Sequence, residues 1–168
     1  VVVVGTGFSG LGMAIQLRRT GRRDFVVLEK AGDVGGTWRD NTYPGCACDI
    51  QSHMYSFSFE QNPDWTRSFS AQPEIWDYLR RVTDTYGLRR HIRFGTEVTG
   101  ARWDADENRW HVTTAAGDEY VARFVVSGIG GLHIPNVPAL PGIEAFRGTA
   151  FHSARWDHGH DLRGERVA

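Results

Sequence analysis

Cysteine is almost missing from this chain: its 168 residues hold two, Cys46 and Cys48, one residue apart. That spacing suits neither an ordinary structural disulfide nor the C-x-x-C pairs of redox and zinc sites. The two read as buried or idle thiols in a reducing cytoplasm. An excess of charge of one sign is missing too. Lys and Arg total 19 against 20 Asp and Glu, a net charge of −1, so there is no electrostatic case for nucleic acid or an anionic membrane as partner. No apolar run approaches the roughly 20 residues that span a bilayer, and no charged segment precedes the opening valines as in a secretory signal. Neither an internal repeat nor a low-complexity tract occurs. The expectation is a soluble cytoplasmic protein.

What is present, 40% hydrophobic and 12% aromatic residues, suffices for one core but not for two full domains. Val1 to Val4 is a β-branched run ending abruptly in glycine, which predicts a fully buried parallel strand. It begins inside the strand and without an initiator Met, so residues are expected to be missing at the front. From Phe8 to Thr20, Leu11, Ala14, Ile15 and Leu17 fall on one helical stripe, and Gly21 follows as a stop. "FVVLE", Phe25 to Glu29, reads as a second buried strand. Strand, helix, strand favours a right-handed crossover and a parallel sheet.

Between Ala31 and Phe69 the chain is rich in Gly, Asn, Pro and aromatics without sustained periodicity; so long a loop in a compact domain is usually functional. Gln72 to Tyr86 predicts a helix, with Ile75, Tyr78, Leu79 and Val82 on one face, Pro73 in its first turn and Gly87 at its end. His91 to Ala101, Arg109 to Ala115 and Tyr120 to Ser127 have strand character and predict an antiparallel meander. The last part, "FVVSGIGG" from Phe124, reads as another buried strand running into glycines. "IPNVPALPG" then supplies an extended linker. The arginine pairs at 18 and 19, 22 and 23, and 89 and 90 read as solvated helix ends and turns. Trp65, Trp76, Trp103 and Trp110 read as core or strand-surface aromatics.

"GTGFSG" sets Gly5, Gly7 and Gly10 in G-x-G-x-x-G, directly after a strand and opening a helix. Gly5 suits a tight turn, Gly7 the close approach of a pyrophosphate, and Gly10 helix-to-strand packing, with the helix N-terminus facing the anion. The acidic residue expected about 20 positions on is present as Glu29, suited to accept from a ribose 2′-hydroxyl. A carboxylate there repels a 2′-phosphate, so this site suits FAD or NAD better than NADP. The next stretch, "GGTWRDNTYPGCACD" from Gly35 to Asp49, fits two readings equally. Its glycines, Thr37 and Trp38 could let a flat ring approach the backbone, or it is an aromatic loop held by packing. His152, His158 and His160 lack a carboxylate shell of recognisable spacing, so no metal site is expected. On residue type alone His152 is a packing or surface histidine.

Two longer patterns follow the glycine turn. Gly36, Trp38, Tyr43, Pro44, Gly45 and Asp49 fill every fixed position of G-x-W-x-x-x-x-[FY]-P-[GM]-x-x-x-D. Phe146, Gly148, His152, Trp156 and Asp157 fill F-x-G-x-x-x-H-x-x-x-W-[PD]. Over essentially its whole length the sequence resembles the class B flavin-dependent monooxygenases, and among them the Baeyer-Villiger monooxygenases. The resemblance implies the N-terminal part of an FAD-binding domain: an incomplete α/β, Rossmann-like domain with a parallel sheet, a crossover helix and an antiparallel β-meander. Residues 1–145 would form that part, and 146–168 would lead into an NADPH-binding domain outside this chain.

The resemblance also implies roles. Gly5, Gly7, Ser9 and Gly10 would hold the FAD pyrophosphate and Glu29 the adenosine ribose. Gly36, Thr37, Trp38, Cys48, Asp49 and Tyr55 would lie along the flavin side, Val98 would meet the adenine through its backbone, and Gly130 alone carries over from "SGIGG". Asp49 would be the sole acidic group near the reacting ring, partnered by an arginine of the NADPH domain. His152 and Trp156 would couple the two domains. The implied activity uses NADPH and O2 to insert oxygen beside a ketone carbonyl through a flavin peroxide, with a ketone or sulfide as substrate. An N- or S-oxygenating flavin monooxygenase is the nearest rival, although its pattern usually ends in Tyr or Phe where Trp156 and Asp157 stand. A non-catalytic flavin-binding module is another. A disulfide reductase needs a cysteine pair just after "GGT", where Trp38 stands.

Overall fold

The computed structural model describes residues 1–168. Three β-branched runs build a parallel sheet: β1 (Val2–Val4) pairs on one side with β2 (Val26–Leu28) and on the other with β7 (Val125–Ser127). β3 (Ile92–Arg93) adds to β2, giving the order β3-β2-β1-β7. Helix α1 (Phe8–Arg19) crosses between β1 and β2, and its Leu11, Ala14 and Ile15 are fully buried, as the apolar stripe requires. Helix α3 (Gln72–Thr85) starts with a proline in its first turn, and Gly87 beyond its end takes φ +55°.

Strand alternation decides which layer each residue joins. Val3 and Val27 face the helices, where they form one core with Leu11, Ile15, Tyr78, Leu79 and Val82. Val2 and Leu28 face the other way, against Val112 and Ala122 of a three-stranded antiparallel sheet made by β4 (Val98–Asp104), β5 (Arg109–Thr114) and β6 (Glu119–Ala122). The parallel sheet is therefore sandwiched between helices and meander. Each fully buried aliphatic side chain contributes about 1.5–3 kcal/mol to that arrangement.

Several expectations change. The segment His91 to Ala101 is two strands in different sheets: Ile92–Arg93 joins the parallel sheet, Gly95 turns the chain at φ +65°, and Val98 enters the meander. Glu29 anchors the switch, donating its N–H to Arg93 O and accepting from Thr96 N at its own carbonyl. Tyr120 to Ser127 divides in the same way, between β6 and β7. β7 is not fully buried, because it is the outer strand: Phe124 before it is 58% exposed. The stretch 31–69 contains a short helix α2 (Thr37–Asp40) and a 3-10 turn at Ser52–Met54. Tyr78 helps hold that stretch, its hydroxyl accepting from Phe57 N at 2.8 Å and donating to Glu60 O at 2.7 Å.

The arginine pairs are not all solvated. Arg18 donates to the carbonyls of Tyr86 and Gly87, fastening the end of α1 to the end of α3. Arg89 joins Asp84 at 2.6 Å and Asp33 at 3.3 Å. The tryptophans do pack: Trp76 Nε1 donates to Val34 O, and the Trp103 and Trp110 rings lie 5.6 Å apart on the meander. Residues 134–142 form an extended, largely exposed connector. No helix is long and apolar enough to cross a membrane.

Candidate functional site

The site begins where β1 ends. Gly5 adopts φ +95°, a conformation open to glycine, and a Cβ there would stand 2.6 Å from Gly128 O. A Cβ on Gly10 would fall 1.9 Å from Gly5 O, and one on Gly128 would be 2.9 Å from both Gly10 N and Val4 O. Three backbones thus meet without room for a methyl group. Gly7 differs: its Cβ would meet nothing nearer than Gly36 Cα at 3.9 Å, so a ligand has access there. The tight turn read from sequence for Gly5 and the close packing read for Gly10 are present, and Gly7 has open space beside it. Gly128 was missed; the only signal was a strand running into glycines.

Gly7 is the N-cap of α1, without a side-chain cap and with no acid in the first turn. The leading N–H groups of a helix lack intrahelical partners, and its dipole favours an anion. They open on a cavity of about 580 Å³. Every residue expected to touch the cofactor lines it except Gly10, which lies beneath the turn. Gly5, Gly7 and Ser9 form one wall, Glu29 and Val98 another, Gly36, Thr37 and Trp38 a third, and Cys48, Asp49 and Tyr55 a fourth; Gly130 lines it as well.

Glu29 is only 4% exposed. One carboxylate oxygen accepts from Thr6 N at 3.0 Å and Thr6 Oγ1 at 2.6 Å, and the other from Ala31 N at 2.9 Å, with Arg39 Nη1 at 3.2 Å. The carboxylate is thus engaged on both oxygens, and any further donor has to share it with Arg39 or displace Arg39 from it. Arg39 also holds Asp40 through two bonds, 2.7 and 3.0 Å. Burial works against its charge, but Asp40 and Glu29 outweigh that and keep its pKa above the ordinary guanidinium value. Neither Arg39 nor Asp40 was read from the sequence.

Trp38 Nε1 donates to Tyr55 Oη at 2.9 Å, with the rings edge to face at 5.6 Å, while the Trp38 carbonyl accepts from Gln72 Nε2. Burial raises the Tyr55 pKa, and the bond from Trp38 works against that rise. Burial likewise raises the Cys48 thiol, which keeps it protonated; neither cysteine is in a disulfide. The stretch "GGTWRDNTYPGCACD" is packed, as one of its two readings has it, and it also walls the cavity. Asp49 is exposed to the cavity, with no hydrogen bond or ion pair on its side chain. Asp40, Glu29 and Glu97 line the cavity too. Two of those are held by Arg39.

His152 and Trp156 are not in the cavity wall. His152 Nδ1 accepts from Ala154 N at 3.0 Å and caps a 3-10 turn at Ser153–Arg155. Trp156 sets its ring edge to face with Phe151 at 5.1 Å. The tie between the two long patterns is His158, whose Nε2 lies 2.8 Å from Thr42 Oγ1.

The sequence profile described as pyridine nucleotide-disulphide oxidoreductase matches residues 2–168. A Baeyer-Villiger monooxygenase of Streptomyces coelicolor is 58% identical over 168 residues, all of this chain and 32% of that protein. Cyclohexanone monooxygenase in its ε-caprolactone-bound loose conformation superposes with a TM-score of 0.88 at 44% identity, covering 98% of this chain and 33% of that one. OTEMO in complex with FAD and NADP superposes at 0.83 with 36% identity, covering 94% and 30%. The chain therefore spans about a third of the length of these relatives. Profile, identity and fold agree over nearly every residue: the chain is similar to the Baeyer-Villiger monooxygenases along its length, and it belongs to the pyridine nucleotide-disulphide oxidoreductase family.

Proposed function

We propose that the chain is the FAD-binding portion of an NADPH- and O2-dependent monooxygenase that inserts one oxygen atom beside a ketone carbonyl. Residues 1–145 hold FAD, and residues 146–168 lead towards the NADPH domain. The observation that carries this reading is the single cavity in which the uncapped glycine turn, Glu29, Trp38, Asp49 and Tyr55 converge. The cavity fits the group: Gly7 leaves its backbone open beside a helix N-terminus free of acids, and Trp38 and Tyr55 offer aromatic surface in the walls away from it.

FAD, when bound, supplies the hydride acceptance and oxygen activation that no side chain provides. The chain's own groups bind and shield. N–H groups around Gly7 and Ser9 hold the diphosphate. Glu29, fixed by Thr6 and Ala31, orients a ribose hydroxyl. Trp38 and Tyr55, locked by their hydrogen bond and the Gln72 contact, exclude water from one wall. Asp49 keeps an unpaired carboxylate in that wall, where it can fix a cation brought by a domain outside this chain. His152 and Trp156, outside the cavity, are positioning residues of the connecting segment.

The test is made on the full-length protein that contains this chain. The expected outcome is bound FAD with its visible spectrum, NADPH oxidation, and ester or lactone from a cyclic or aryl ketone. Oxygenation of a thioether alone would move the assignment to the N- and S-oxygenating class, and absence of FAD would overturn it altogether.

A further inference from the structure

Helix α3 contributes no residue to the cavity wall, yet two of its side chains, one turn apart, reach the same short stretch of that wall. Gln72, buried at the start of α3, donates from Nε2 to Trp38 O, and Trp76 donates from Nε1 to Val34 O at 2.8 Å. Positions i and i+4 share one helix face, so both donors come from one side and hold the stretch at its two ends. Between those ends stand Gly35 and Gly36 at φ +128° and +53°, conformations that glycine alone adopts freely. Their own backbone preference is broad, and the stretch needs outside support to keep one shape. The indole supplies it, filling the room that a side chain at position 35 would take: a Cβ on Gly35 would stand 2.6 Å from Trp76 Cδ1. What is set in this way is Gly36, whose own Cβ would lie 3.1 Å from Gly7 Cα in the anion-binding turn, and the Gly35 N–H is tied to Thr6 O of that turn at 3.0 Å.

We infer that Gln72 and Trp76 are positioning residues for the dinucleotide: together they clamp residues 34–38, so that Gly36 closes on Gly7 and Trp38 keeps its place in the wall. Neither side chain lines the cavity, and neither belongs to the glycine turn or to the two long patterns. Arg80, stacked with its guanidinium 4.0 Å from the centre of the Trp76 ring, holds the indole in its pose. The inference rests on the FAD reading above and adds to it a support that acts from behind the wall.

Substitutions that separate donor from bulk test it. Gln72→Met keeps the length of the side chain and removes its donor. Trp76→Phe keeps an aromatic ring without a donor, whereas Trp76→His, smaller than either, can set an Nε2–H where the indole Nε1–H stands. FAD dissociation constants are measured by flavin fluorescence on the full-length apo-protein and the three variants, each below the melting temperature found for it by thermal unfolding. Gln72→Met and Trp76→Phe should each weaken FAD binding roughly threefold to tenfold, the loss of one net hydrogen bond, and Trp76→His should stay within about twofold of wild type. Four equal dissociation constants, whatever the melting temperatures, would make the pair merely structural and overturn the inference. So would Trp76→His binding no better than Trp76→Phe, which would mark the indole as filler; either result leaves the FAD reading standing. Should a Trp76 variant fail to fold, Gln72→Met against wild type decides alone. Absence of FAD binding by the wild type overturns the FAD reading and the inference with it.

Discussion

Adding one methyl group at Gly128 tests whether the anion-binding turn is built from both ends of the chain. In Gly128→Ala the new Cβ would stand 2.9 Å from Gly10 N, 2.9 Å from Val4 O and 3.0 Å from Gly10 Cα. All three are backbone atoms of a strand and a helix start, so no side chain can swing aside. Overpacking of this kind costs about 1–3 kcal/mol. The cheapest relief is to push α1 from β7, and that moves the N–H groups facing the cavity. If the whole cost falls on binding, FAD affinity drops between about fivefold and about 150-fold. Gly131→Ala is the internal control, because a Cβ there meets nothing within 4 Å and its φ is not in the left-handed region. It should leave affinity unchanged, and stability unchanged or up to about 1 kcal/mol higher. The assay is an FAD titration of both full-length variants beside urea unfolding of their apo-forms. Identical titrations for Gly128→Ala and Gly131→Ala would refute the interlocked-glycine reasoning.

Other substitutions probe separate parts of the site. Glu29→Gln should lower stability by roughly 2–3 kcal/mol in urea unfolding, because an amide NH2 would face the donors of Thr6, or of Ala31 and Arg39. Trp38→Phe removes the donor that opposes burial at Tyr55, so the Tyr55 hydroxyl should titrate at still higher pH in ultraviolet difference spectra. Asp49→Asn should leave FAD bound but lower oxygenation at least about 100-fold if its charge fixes a catalytic cation. Retained turnover would remove Asp49 from the mechanism. On the meander, Glu119 first and then Glu107 raise the pKa of His111. A raised folded pKa means that its stabilisation is complete below the unfolded value and is lost as pH rises through the folded one. Protection factors of the β5 and β6 amides, which remove the intrinsic pH dependence of exchange, should accordingly be higher on the acid side of that transition, and the difference should shrink in Glu119→Gln.

The strand, helix, strand opening was legible because its periodicity is strong and its pairing local: Val2 to Val4, the Leu11 to Ile15 stripe and Val26 to Leu28 lie close in sequence. The three-stranded meander was legible in kind but not in extent. Residues 91–101 and 120–127 look like continuous strands since apolar content does not change where the chain leaves one sheet for the other. The switch is set by Gly95 and by pairing of β3 and β7 with strands far back in the sequence. The cavity residues followed from the glycine fingerprint and the resemblance. Gly128 and Arg39 escaped because each owes its role to a neighbour distant in the chain: Gly10 and Glu29. His152 and Trp156 were marked by pattern alone, and the fold gives them no place in the cavity.

The meeting of Gly5, Gly10 and Gly128 also imposes an order in time. The first two are made well before the third, with β1 and α1 able to find β2 at once, but the strand that completes the turn is β7, made after the whole meander. Contacts so far apart in sequence form late, because the intervening chain must be ordered first. On the FAD reading proposed above, a nascent chain that has displayed the entire glycine fingerprint is therefore expected not yet to grip a dinucleotide, and cofactor loading to follow the docking of Gly128.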